Sequence, residues 1–329
     1  MYPDIDAAGL KGRDFLSTQD WSIDELNALF SLASRLKADR REGVPTRLLE
    51  DKTLYMIFFD SSTRTRNSFE TGITQLGGHG IFLSPDRMQI SHGENARDTA
   101  NVLSRYGEAI AIRHCAHGEG NAYLSEVAAH ASIPVLSMQC DVYHPCQILA
   151  DYLTIREKLG DTKGLKLGVA WTSAPNYVRP ISVPQSLILM MPRFGIDVTL
   201  AYPPEFRLQP EIEEQARANA AAAGATFEVS HRFEDAFEDA DVVVPKSWGP
   251  LIHTQDHDEG IRLIESYPDW RCDAERMRLG KDHMLYMHPL PADRGREVTD
   301  EVIDGPQSVV YDEAENRLHV QKALMALTM

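Results

Sequence analysis

The sequence predicts an α/β chain folded as two parallel-sheet domains. Three observations carry that prediction. At 329 residues the chain is long for one ordinary domain, and domains of roughly 150 residues are the prior. Short apolar runs alternate with helix-period segments from residue 53 onward, the pattern of strands each followed by a helix. Hydrophobic residues make up 43% of the chain, enough to fill two cores.

In chain order, residues 23–37 carry helical periodicity, with Trp21-Ser22 as the cap region. Strands are predicted at 53–59, 80–83, 109–112 and 133–137, with helices at 66–76, 95–106 and 121–131 between them. Segment 147–159 is a long amphipathic helix stopped by Gly160 and leads out of the first domain. A second series follows, with strands at 165–170, 196–201, 226–229, 241–244 and 283–287 and helices at 184–194, 209–223 and 297–303. Segment 173–184 is rich in proline and polar residues and reads as irregular. Segment 245–262 reads as a long surface loop, a length uncommon without a role. Residues 313–329 read as an amphipathic helix.

Composition narrows the function. Acidic residues number 49 against 33 Lys and Arg, a net charge of −16. That excludes nucleic acid and acidic membrane surfaces as partners, because both need a basic face. The four cysteines form no C-x-x-C pair and no zinc spacing, so reduced thiols and a cytoplasmic location are expected. The N-terminus lacks the apolar core of a signal peptide, and no run is long enough to span a membrane.

Four stretches carry chemistry. The first is the apolar run Tyr55-Met-Ile-Phe-Phe59 followed by Ser62-Thr63-Arg64-Thr65. A strand ending where a helix begins exposes free N–H groups and a positive dipole end, which suit phosphate. Arg64 adds a bidentate fork. An ordinary N-cap with solvated arginines fits the local sequence equally. The second is Val142-Tyr-His-Pro-Cys-Gln147, where Pro145 suits the first helical turn. His144 then sits at the cap and Gln147 one turn in. A helix N-terminus keeps the imidazole neutral, able to donate to a carbonyl oxygen. A capping His is the plainer alternative.

The third is Arg113, directly after strand 109–112. Alone it is a surface charge; it gains interest because ligands of open α/β sheets lie outside the carboxyl ends of strands. The fourth is His288-Pro289-Leu290-Pro291 and the residues that follow, to Glu297. Two prolines there hold the Leu290 carbonyl rigid, where it can accept from an attacking amine. A proline-stiffened loop without chemistry is the alternative.

Together these stretches resemble the aspartate/ornithine carbamoyltransferase superfamily: STRTR after a strand, HPCQ about eighty residues on, and HPLP near the end. The likeness runs from the N-terminal FLSTQDWSIDELNALF to the closing NRLHVQKALM. Asn176–Gln185 and Pro245–Pro250 are similar to the knotted subgroup, which includes N-acetylornithine and N-succinylornithine carbamoyltransferases. The resemblance implies two Rossmann-like domains joined by long helices, with a trefoil knot in the second. Residues 1–150 would bind carbamoyl phosphate, with helix 313–329 packing back on them, and residues 151–312 would bind the acceptor.

The resemblance also implies roles. Ser62, Thr63, Arg64, Thr65, Arg113, His144, Gln147 and Arg317 would bind carbamoyl phosphate, together with Pro289 and Leu290 of the His288 turn. Arg64, Arg113, His144 and Leu290 would be catalytic. Loop Ser84–Gly93 would reach a neighbouring subunit's site through Gln89 and His92, making the protein a homotrimer. Asn176, Tyr177, Arg179, Lys246, Ser247, Trp248, Asp293, Arg294 and Glu297 would line the acceptor site. No metal or cofactor is implied.

The reaction would move a carbamoyl group from carbamoyl phosphate to the primary amine of an amino acid or diamino acid, or phosphorolyse a ureido compound in reverse. Three departures bear on the acceptor. Pro289 stands where the ornithine enzymes have Cys, and Ser247-Trp248-Gly249 replaces their S-M-G loop. Glu297 stands where the acetylornithine enzyme has Lys, which argues against N-acetylornithine. Trp248 is equally read as a packing residue. Two alternatives remain: a non-catalytic anion-binding paralogue, and a dinucleotide-dependent oxidoreductase. The latter is disfavoured because no strand precedes a G-x-G-x-x-G.

Overall fold

In the computed structural model, residues 8–174 and 178–329 are described, together with Ile5. The chain divides into two compact units, residues 1–150 with 314–329, and residues 151–313. Each is built around one parallel sheet.

The first unit starts with α1 (Ile23–Arg41), whose N-terminus is a capping box between Ser22 and Glu25. Then follow β1 (Thr53–Phe58), α2 (Arg64–Gln75), β2 (His79–Leu83), α3 (Ala96–Leu103), β3 (Ala109–His114), α4 (Gly120–His130) and β4 (Val135–Cys140). All pairings are parallel and the strand order is β2-β1-β3-β4. β1 and β4 are buried almost throughout, as strands covered on both faces must be. The ladder register shifts between Ile112 and Arg113. Helix α5 (Pro145–Leu159) then carries the chain into the second unit.

The second unit holds β5 (Lys166–Trp171), α6 (Ser182–Met190), β6 (Asp197–Ala201), α7 (Pro210–Ala223), β7 (Phe227–Ser230), β8 (Val242–Lys246), α8 (His257–Glu265), α9 (Ala274–Met277), β9 (Leu285–Tyr286) and α10 (Asp300–Ile303). Its strand order is β7-β6-β5-β8-β9, again all parallel. Helix α11 (Val310–Thr328) returns the chain to the first unit. There Lys37 Nζ donates to Asn316 Oδ1 at 2.6 Å, and Lys322 Nζ donates to Gln75 Oε1 at 3.1 Å.

The strand orders place the chemistry. In the first sheet the chain leaves β1 toward β2 and leaves β3 toward β4. The crevice between the carboxyl ends of β1 and β3 is therefore a topological switch point. In the second sheet the same reversal falls between β5 and β8.

Several expectations need correction. Residues 245–250 are buried and α8 begins at His257, so the surface loop read at 245–262 is confined to 251–256. Helix α6 begins at Ser182, inside the stretch 173–184 expected to be irregular; Pro184 lies in its first turn, where a missing N–H breaks no helical bond. Met191–Phe194 forms a tighter turn beyond α6. Helix 297–303 begins only at Asp300, and β9 is two residues long. Helix α11 is buried at every position from Asn316 to Met329, so it is not amphipathic.

One glycine is fixed by a close approach. A Cβ on Gly168 in β5 would lie 1.7 Å from the Ala236 carbonyl oxygen, which is main chain and cannot swing aside. Gly168→Ala is expected to cost about 2–3 kcal/mol and to lower the unfolding midpoint in calorimetry. An unshifted midpoint would mean that this strand gives way freely.

Candidate functional site

The first unit brings its predicted residues together at the switch point. Phe58 at the end of β1 pairs in register with Arg113 on β3, and Arg113 with Gln139 on β4. Helix α2 starts six residues beyond Phe58, at Arg64, with no acidic residue in its first turn. A helix N-terminus ordinarily attracts Asp and Glu. This one carries arginine instead, which adds positive charge to the positive dipole end and leaves an anion to balance both. Ser62 Oγ accepts the Thr65 N–H at 3.2 Å, while the Thr63 hydroxyl makes no cap bond. Arg66 turns away, paired with Glu70 and lying 3.8 Å over the Phe82 ring.

Two of the arginines donate to neutral groups. Arg113 Nη1 donates to Gln139 Oε1. Arg317 is 2% exposed, donating from Nη1 to Gln147 Oε1 at 2.5 Å and from Nη2 to Thr65 Oγ1 at 2.7 Å. Helix α5 starts at Pro145, so His144 sits at its mouth, 5% exposed. Burial drives the His144 pKa well below the ordinary range, and Arg317, Arg113 and Arg64 drive it the same way; a bond to the Met138 carbonyl opposes them. The ring is neutral. Beside it on the rim, the Asp60 carboxylate accepts the Cys115 N–H at 2.7 Å. This arrangement can hold a small polyanion and donate to a carbonyl oxygen.

The second unit gathers a charge-balanced cluster at its own switch point. Trp171 at the end of β5 pairs in register with Lys246 at the end of β8. Lys246 Nζ donates to Glu297 Oε1 at 3.2 Å and to the Ser247 carbonyl at 3.2 Å. Arg179 donates to Glu297 Oε2 at 2.8 Å and to Asp293 Oδ2 at 2.5 Å. Burial pushes the Lys246 pKa down to about 8, with Glu297 opposing. Burial would raise the Glu297 carboxyl, yet Lys246, His288 and Arg179 hold it well below its usual value. In the proline turn the Leu290 N–H donates to His288 Nδ1 at 2.9 Å, and Leu290 has φ +50° before a cis peptide to Pro291. Pro289 is buried beside it.

Other predicted acceptor residues fall elsewhere. Trp248 is buried, its Nε1 donating to the Phe206 carbonyl at 2.7 Å; it packs rather than presenting a ring to a ligand. Arg294 is exposed and engaged by Asp300 and Asp304, so its charge is spent on the surface. Glu297 is fully buried with its oxygens occupied, so it does not read an amine directly. Asn176 and Tyr177 lie outside the described residues. Gln89 and His92 occupy an exposed turn, Gln89–His92. Gln139 and Asp60 were missed; a Gln within the buried strand 135–140 was the available signal. Among the described residues no group of His, Cys, Asp and Glu is placed to hold a metal ion, and no helix is long and apolar enough to cross a membrane.

The chain is similar to known proteins over nearly its whole length. Residues 13–157 match the family model for the carbamoyl-P binding domain of aspartate/ornithine carbamoyltransferase, and residues 180–328 match its Asp/Orn binding domain. The ornithine carbamoyltransferase of Thermococcus kodakarensis is 41% identical over 97% of both chains. That of Halalkalibacterium halodurans is 42% identical over 96% of this chain and 95% of its own. Among solved structures, the ornithine carbamoyltransferase from Pyrococcus furiosus superposes with a TM-score of 0.88 at 40% identity, covering 97% of this chain and 98% of its own. N-acetyl-L-ornithine transcarbamylase gives 0.89 at 34% identity, covering 96% and 100%.

The His144 environment has a measurable consequence. The folded pKa lies below the ordinary value near 6.5. The unfolded ring therefore takes up a proton first as pH falls, and the stability that the neutral ring confers is lost progressively below about pH 6.5. Nitrogen NMR is expected to find His144 neutral at pH 6. A charged ring there would contradict the proposed cation surroundings.

Proposed function

The chain belongs to the aspartate/ornithine carbamoyltransferase family, and from that premise we propose that it carries the carbamoyl group of carbamoyl phosphate to the terminal amine of a zwitterionic diamino acid, with L-ornithine the first candidate. The observation that carries the donor half is the set of three guanidinium groups acting on a neutral imidazole at the first sheet's rim. A doubly charged phosphate is a ligand whose charge suits such a group of cations.

The chemistry follows from the residues. Arg64, Ser62, Thr63 and the N-terminus of α2 take the phosphate, whose charge grows as it departs. Arg113, Thr65 and the His144 ring meet the carbamoyl oxygen as attack turns it into an oxyanion. Preset donors of this kind supply the largest electrostatic contribution to acyl transfer. Gln147 accepts from the carbamoyl NH₂, while the Leu290 carbonyl accepts from the incoming amine and holds its lone pair toward the carbon. Arg317 keeps Thr65 and Gln147 in place. Holding donor and acceptor together removes much of the entropic barrier.

The acceptor reading rests on Arg179 and Asp293. Their ion pair is half open, with side chains 9% and 26% exposed. A zwitterion can insert between them, carboxylate to Arg179 and α-ammonium to Asp293, without leaving either charge unmatched. A diamine lacks the carboxylate, and an N-acylated acceptor lacks the ammonium. The relatives at 41–42% identity are named ornithine carbamoyltransferase, which supports the same choice. Completion of the site by Gln89 of a neighbouring subunit, in a trimer, belongs to this proposal. So does a cytoplasmic location, which the four free thiols favour.

The test is an assay of ureido product against L-ornithine, L-aspartate, N-acetyl-L-ornithine, N-succinyl-L-ornithine, 2,3-diaminopropionate and putrescine. L-Ornithine is expected to give the highest kcat/KM. Preference for putrescine or an N-acyl compound would overturn the acceptor reading. Arg64→Ala is expected to lower turnover by about 10²–10³-fold with little change in unfolding midpoint; near-normal turnover would remove Arg64 from the reaction.

A further inference from the structure

We infer that Glu297 is a positioning residue for the acceptor half of the reaction: one buried carboxylate holds Arg179, Lys246 and the Leu290 turn in the arrangement that an acceptor meets. The inference rests on the carbamoyl-transfer reading above and deepens it.

A carboxylate offers about four lone-pair positions, and Glu297 fills them inside the protein. Oε1 accepts from the Ser247 N–H at 2.7 Å and Lys246 Nζ at 3.2 Å. Oε2 accepts from the Asp293 N–H at 2.7 Å and Arg179 Nη1 at 2.8 Å. The side chain is 0% exposed, so no site is left for a substrate. What Glu297 does is join separate pieces of chain: the residues after β5, the end of β8 and the proline turn. The two main-chain N–H bonds fix the carboxylate, and the carboxylate then fixes the two cations.

His288 extends the same control. Its Nδ1 accepts from Leu290, so in the neutral ring Nε2 carries the proton. That nitrogen lies 3.4 Å from Glu297 Oε2, longer than a usual hydrogen bond but near enough for the carboxylate's charge to select this tautomer. The His288 N–H is anchored separately by Glu313 Oε2 at 2.8 Å. The direction of the Leu290 carbonyl therefore depends on a ring that Glu297 orients.

The charged and titratable groups acting on Glu297 are Lys246, His288 and Arg179, with Asp293 bonded through its N–H and Tyr286 feeling the carboxylate's field. Two of them are cations in a buried space. Removing the negative charge leaves Lys246 with burial and Arg179 both opposing its proton. Its deprotonation then moves to lower pH, and with it the alkaline loss of acceptor binding.

Glu297→Gln keeps the shape and removes the charge. It is expected to raise KM for L-ornithine by about tenfold or more and to move the alkaline limb of kcat/KM down by about one pH unit. Carbamoyl phosphate binding, measured by titration calorimetry, should stay within about twofold of wild type, since Glu297 lies outside the unit that holds the donor. Wild-type KM and an unmoved limb would overturn the inference, as would equal loss of donor and acceptor binding. Glu297→Asp keeps the charge but is one methylene short. It should raise KM while leaving the limb at its wild-type pH, and it serves as the test if Glu297→Gln does not fold. A wild-type KM in Glu297→Asp would overturn the inference. Wild-type enzyme that makes no ureido product from L-ornithine would instead refute the acceptor reading, which separates the two failures.

Discussion

Like charges held close together in a poorly hydrated space repel one another, and three guanidinium groups act together on His144 at the first sheet's rim. Arg317, Arg113 and Arg64 all press the imidazole toward neutrality. Arg113 and Arg317 rest on the amides of Gln139 and Gln147 and the hydroxyl of Thr65, which bind a guanidinium without cancelling it. Such an arrangement costs stability, because charge repulsion grows as the local dielectric falls. Arg113 and Arg317 are locked by hydrogen bonds worth about 1.5–3 kcal/mol when a charge is involved. The result is a preformed field. A phosphate that binds there finds its partners already oriented, with little left to reorganise during reaction.

The second sheet solves the opposite problem at the equivalent place. Arg179 and Lys246 are matched by Asp293 and Glu297, giving two charges of each sign. A neutral cluster has no pull on a bare anion, but it can exchange an internal pair for a zwitterion at small electrostatic cost. Balance of charge within the second cluster is what suits it to a zwitterion.

Much of this was legible in the sequence because the informative features are local. The apolar run Leu54–Phe58, the Ser62–Thr65 hydroxyls and the Pro145 helix start each sit within a few residues of one another, and the strand-end rule does the rest. The buried contacts were not legible. Arg317 meets Thr65 and Gln147 across sequence separations of 252 and 170 residues, and only likeness to a family marked it. Trp248 and Arg294 have suitable chemistry for an acceptor site, yet Phe206 and the acids Asp300 and Asp304 claim them. Such competition depends on what folds nearby. The surface-loop reading failed over 245–250 for a related reason: Pro245–Pro250 has few aliphatic residues, but a segment that continues a buried strand is covered regardless.

Glu297 shows why a buried ion network need not be read as a stabilising device. Desolvating a carboxylate costs several kcal/mol, and apolar residues of equal volume commonly do as well or better by about 1–4 kcal/mol. Stability alone would favour replacing the whole set. Apolar packing, however, has no direction; it fills space without aiming a guanidinium fork, an ammonium and an imidazole at chosen points. A carboxylate with its lone pairs assigned does aim them, and the tightest of its bonds, to the main-chain N–H groups of Ser247 and Asp293, are those least able to drift. The cost of burial is then best understood as the cost of direction, incurred where an acceptor must arrive with its amine correctly placed.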